Sequence, residues 1–68
     1  MASVSGKALA KALEQRGWAL MRINGSHHIY AKAGERARLS VPIHANQPLK
    51  IGTLNALLKA ARIDIDDL

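Results

Sequence analysis

The chain has 68 residues, and ten lysines and arginines against five acidic residues give a net charge of +5 and an isoelectric point near 10.3. So short a chain buries one modest core in one domain, residues 1–68, and without cysteine it has neither disulfides nor thiolate ligands to brace it. A hydrophobic content of 49% argues against disorder. No apolar run reaches the roughly 18 residues a bilayer span needs, and Met1-Ala2-Ser3-Val4 lacks the regions of a signal peptide, so a soluble cytoplasmic protein is expected.

Ser5 is placed to cap a helix over about residues 6–16, with Ala8, Leu9, Ala12 and Leu13 at helical spacing and Gly17 as its stop. Trp18, Leu20, Met21 and Ile23 form a short apolar run, interrupted by Arg22 and ended by Asn24-Gly25, that reads as a strand entering a hairpin. Residues 27–32 form the returning strand, and strand alternation sets His27, Ile29 and Ala31 on one side and His28, Tyr30 and Lys32 on the other. The two adjacent histidines therefore cannot do the same job.

A turn at Ala33-Gly34-Glu35 leads to a third strand over Arg36–Ile43, in which Leu39, Val41 and Ile43 alternate and Pro42 limits the ladder. After the loop His44–Pro48, a second helix covers about residues 50–61, its apolar stripe being Ile51, Leu54, Leu57, Leu58 and Ala61. Asp64 caps a short acidic turn over Ile65–Leu68. The order α-β-β-β-α predicts an α+β fold in which two helices cover one face of a three-stranded antiparallel sheet and leave the other face free to bind.

Three of the five acids lie in the last five residues, so the body of the chain is more cationic than its total charge and favours a polyanionic partner, nucleic acid first. A metal centre built on His27, His28 and His44 lacks a fourth ligand, because there is no cysteine and the acids cluster elsewhere. A Ser-His-Asp hydrolase has no GxSxG elbow to hold its nucleophile. RNA cleavage asks less, because the substrate carries its own nucleophile in the 2′-hydroxyl. One imidazole can take that proton while a cation such as Arg22, Lys32, Arg38 or Lys50 faces the phosphate. Gly25 and Ser26 have sufficient explanation in the turn itself, and Tyr30 in packing.

Nearly the whole chain resembles the HicA (YcfA-like) toxins of bacterial toxin-antitoxin systems. The resemblance rests on Ser5-Gly6-Lys7, Gly17-Trp18, Arg22, Gly25-Ser26-His27-His28-Ile29-Tyr30, Val41-Pro42-Ile43-His44 and Lys50-Ile51-Gly52-Thr53-Leu54, in that order and spacing. It implies a fold like the double-stranded RNA-binding domain, endoribonuclease activity on mRNA without metal or other cofactor, and inhibition by a HicB-type antitoxin. In the family's Gly-Ser-His motif the catalytic histidine corresponds to His27, which leaves His28 a supporting or structural candidate. Lys7 and Lys11 lie on the helix whose counterpart in the double-stranded RNA-binding fold meets the minor groove, and His44 matches the Val-Pro-x-His segment. Ile23 and Asn24 stand where many members carry polar or basic residues, and Trp18 replaces a common Phe. The competing expectations are a non-catalytic RNA-binding module of the same fold and an interaction domain whose histidines only finish a turn.

Overall fold

A computed structural model describes residues 3–68, so the part of the N-terminal reading that falls on Met1 and Ala2 lies outside the described residues. The order is α1 (Gly6–Gln15), β1 (Ala19–Asn24), β2 (His27–Ala31), β3 (Leu39–Pro42), α2 (Ile51–Ala61) and a 3₁₀ turn at Ile65–Asp67. The sheet is antiparallel in the order β1-β2-β3, which gives the expected α+β architecture.

The Ser5 side chain accepts a hydrogen bond from the Ala8 N–H at 3.1 Å and satisfies one of the free donors at the start of α1. The helix stops one residue earlier than its spacing predicts, because Arg16 turns out of the helix at φ −104°. Gly17 N–H then bonds Glu14 C=O at 3.2 Å and Trp18 N–H bonds Leu13 C=O at 3.0 Å, a Schellman motif that drops Trp18 into the core. The end of α2 repeats these bonds, Arg62 to Lys59 at 3.2 Å and Ile63 to Leu58 at 2.9 Å, with Ile63 in the core position of Trp18. Here, however, Arg62 occupies the left-handed conformation (φ 60°, ψ 42°) that Gly17 adopts freely.

Asn24 is the last residue of β1 and pairs with His27, so the loop is Gly25-Ser26 and not Asn24-Gly25. Gly25 alone takes the positive φ of 63°, the requirement of a type II′ hairpin, in which the first loop position is left-handed. Between Leu20 and Arg22 the ladder bulges at Met21, so Leu20 faces Tyr30 and Arg22 faces Ile29. The β3 strand is shorter than its alternation suggests. Glu35 N–H closes a turn on Lys32 C=O at 3.0 Å, whereas continuing the Tyr30–Leu39 register would set Lys32 opposite Ala37. The surplus leaves Arg36, Ala37 and Arg38 outside the ladder. Lys32 likewise falls outside β2, and Lys50 precedes α2 as its N-cap.

The core joins Leu9, Ala10, Leu13 and Trp18 to Tyr30, Leu39 and Val41 of the sheet and to Leu54, Leu57, Leu58 and Ile63. Both helices pack on β3, and α1 also reaches β1. Ile51 begins α2 before this surface and is 54% exposed, which removes it from the expected apolar stripe. Every β1 residue is exposed, because both helices pack on β3 and only α1 reaches this edge. No described helix is long and apolar enough to cross a membrane.

The tightest approach is at Gly6, where a Cβ would overlap the Pro42 carbonyl oxygen and crowd Ile43, so only glycine lets α1 lie this close to β3. Gly6→Ala is expected to destabilise by about 1–3 kcal/mol despite alanine's better helix propensity. Gly52→Ala, at a helical site with open space around it, should stabilise by roughly 0.5 kcal/mol. Urea midpoints moving in the same direction for both variants would contradict this account. Arg62→Gly should relieve the left-handed residue and raise stability by about 1 kcal/mol in the same assay. Little is lost with it, since the Arg62–Glu35 ion pair is long, at 3.8 Å, and Arg62 is largely exposed.

Candidate functional site

Strand alternation on β2 divides the two histidines, and cross-strand pairing shows what each one meets. His27 pairs with Asn24 on β1 and Pro42 on β3, and the next positions on that face are Ile29, Arg22 and Ser40. This is the face away from the helices. His27 is exposed, and its Nδ1 lies 3.2 Å from the Ser40 hydroxyl, which leaves Nε2 as the open ring nitrogen. A neutral imidazole whose Nδ1–H donates to Ser40 presents the Nε2 lone pair outward, the form a general base requires. Ser40 was not among the residues singled out from sequence. Its position on the exposed side of an alternating strand was readable, but its diagonal placement against His27 depends on the β2–β3 register.

At the hairpin, Ile43 N–H donates to the Ser26 carbonyl oxygen at 2.8 Å and ties the chain leaving β3 to the turn. His44 follows, with Nε2 3.5 Å from the Ser26 hydroxyl, at the outer limit of a hydrogen bond. His44 and Lys50 share the wall of a depression of about 280 Å³ with Pro42, Gln47, Pro48 and Thr53. Pro42, the cross-strand partner of His27, is the one strand residue in that wall. Gly25, Ser26, His27, His44 and Lys50 thus lie toward one end of the sheet, with Arg22 on the His27 face farther along β1.

The remaining candidates lie elsewhere. His28 pairs with Ile23 and Val41 on the helix side and lines a cleft of about 690 Å³ with Lys7, Lys11, Glu14, Leu20 and Tyr30. Lys32 follows the far end of β2, where its stem approaches Gly17, five residues or roughly 17 Å along the strand from His27. That separates it from the phosphate role the sequence offered it beside His27. Arg38 is exposed just ahead of β3, two residues before Ser40. Among the described residues no three His, Cys, Asp or Glu side chains converge on a metal-sized site.

Tyr30 is 2% exposed, and its hydroxyl donates to Glu14 Oε2 at 3.2 Å, joining the central strand to α1. Burial pushes the Tyr30 phenol above its usual 10.0, and the Glu14 carboxylate adds to this by repelling a phenolate and by accepting the phenol's hydrogen bond. Because the raised value belongs to the folded state, the associated stability is complete below about pH 10 and is lost as pH rises through the folded-state value. Tyr30→Phe is expected to cost about 1–2 kcal/mol at neutral pH and to abolish this alkaline loss. Parallel declines in the denaturant midpoints of both proteins above pH 10 would contradict the assignment.

Compared with known proteins, the chain matches the family model for the HicA toxin of bacterial toxin-antitoxin systems over residues 6–63, from the first residue of α1 to the core residue that closes α2. No curated protein matches it. The α-β-β-β-α order, the exposed histidine at the hairpin exit and a family match spanning nearly the whole chain agree, and the chain belongs to the HicA family of toxins.

Proposed function

We propose that this toxin is an endoribonuclease that cuts mRNA in the cytoplasm, with His27 as general base. The observation that carries the reading is His27 itself, exposed on the helix-free face with Nδ1 held by Ser40 and Nε2 open. In this mechanism Nε2 removes the 2′-hydroxyl proton, the 2′-oxygen attacks the adjacent phosphorus, and the chain breaks to leave a 2′,3′-cyclic phosphate. Arg22 on the same face and Lys50 beside the depression supply positive charge for the phosphate as negative charge builds on its oxygens. The proposed reaction calls for neither a metal nor a cofactor.

His28 has a structural role in this reading, since it lies on the helix side with Ile23 and Val41. Lys7 and Lys11 belong to that side too and extend the basic surface without touching the reacting groups. Sequence preference is expected to be weak.

A toxin of this kind has an antitoxin partner. We infer a HicB-type protein that covers the His27 face with an acidic surface, complementary to a toxin of charge +5.

Cleavage of a labelled single-stranded RNA by the antitoxin-free protein is the test. His27→Ala should lower the rate about 10²–10⁴-fold with the fold intact by circular dichroism, and His28→Ala should retain activity. Replacing the nucleotide 5′ to the cut with its 2′-deoxy form should abolish cleavage there. Wild-type protein that binds RNA with a steep salt dependence and leaves it whole would make the domain an RNA-binding module instead.

A further inference from the structure

The cleavage reaction needs two proton transfers, and His27 performs only one of them. Its other half is departure of the 5′-oxygen, which leaves as a high-energy alkoxide unless a proton reaches it. We infer that His44 is the general acid of this site, donating that proton from the opposite side of the phosphate. The inference rests on the ribonuclease reading above and adds a second catalytic residue to it.

Three features position His44 for this role. The Ile43 N–H bond to the Ser26 carbonyl, at 2.8 Å, fixes the chain just ahead of His44 against the turn that delivers His27. His44 lies two residues beyond Pro42, the cross-strand partner of His27, in the loop that leaves β3 at the hairpin end of the sheet. Two imidazoles at one end of the sheet can approach one phosphodiester from its two ends. His44 is also exposed and, with Lys50 and Pro42, walls a depression at the end of β3.

The hydrogen-bond pattern supports complementary roles. Each imidazole has one nitrogen beside a serine hydroxyl and one open, Nδ1 to Ser40 in His27 and Nε2 to Ser26 in His44. A protonated His44 donates Nε2–H to Ser26 and keeps Nδ1–H for the leaving oxygen. In the balanced step His27 gains the 2′-hydroxyl proton, the new P–O2′ bond forms, the P–O5′ bond breaks, and the His44 proton ends on the 5′-hydroxyl. Proton exchange with water then resets both imidazoles. His28 cannot substitute, because it lies on the other face of the sheet in the cleft with Glu14 and Tyr30. Lys50 lies in the same depression and serves the phosphate charge instead.

The experiment compares an ordinary RNA oligonucleotide with one in which sulfur replaces the bridging 5′-oxygen at the cut, since a thiolate leaves without being protonated. With the full chain, His44→Ala should slow cleavage of ordinary RNA about 10²–10⁴-fold and of the sulfur substrate less than about tenfold. His44→Gln, which keeps a polar side chain toward Ser26, should behave in the same way, and His27→Ala should slow both substrates. The wild-type pH profile on ordinary RNA should be bell-shaped and lose its alkaline limb on the sulfur substrate. Equal losses on both substrates for the His44 variants, or no loss on ordinary RNA, would overturn the inference while leaving His27 as base. A wild-type protein that cleaves neither substrate would overturn both readings.

Discussion

The central strand β2 carries the constraint on which the rest of the structure depends. It is paired on both sides, and side chains two residues apart on it point the same way, so one register decides at once that Tyr30 is buried and His27 exposed. A one-residue slip would send His27 beneath α1 and expose Tyr30 together with its bond to Glu14. Core packing therefore enforces the orientation of the candidate catalytic group. The apolar contacts of Tyr30, Leu39 and Val41 are what keep His27 in water.

The same economy explains the uneven sheet. With only two helices, both lying over β3, the core covers the β3 side and leaves β1 as an open edge on which Leu20, Met21 and Ile23 are exposed. Free edges invite pairing with other chains. The bulge at Met21 breaks the regularity of this one, and Arg22 places a charge in its middle. Gly6 sets how closely the α1 side can pack, since its missing Cβ is what admits the Pro42 carbonyl oxygen. Pro42 thus joins two functions: it receives α1 and stands opposite His27.

Charge is distributed in keeping with this geometry. Of the five acids, Glu14 accepts the Tyr30 hydroxyl, Glu35 sits in the β2–β3 turn facing Arg62, and the other three lie in the C-terminal turn, where Asp64 caps Asp66. None belongs to the strand positions that share a face with His27. Those strand positions therefore carry no carboxylate to repel a phosphate backbone.

Local chemistry made much of this protein legible in its sequence: the Ser5 cap, the Gly17 stop, the order of elements, the opposite faces of His27 and His28, and the packing of Tyr30 all follow from residue type and period within a few positions. Tertiary structure alone decided which groups meet across long stretches of chain, including Ser40 with His27, His44 with Ser26, and Gly6 with Pro42. It also shortened β3, exposed Ile51 and separated Lys32 from His27. The physical reason is that caps and alternation are properties of neighbouring residues, whereas register and helix placement are set by how the whole core closes.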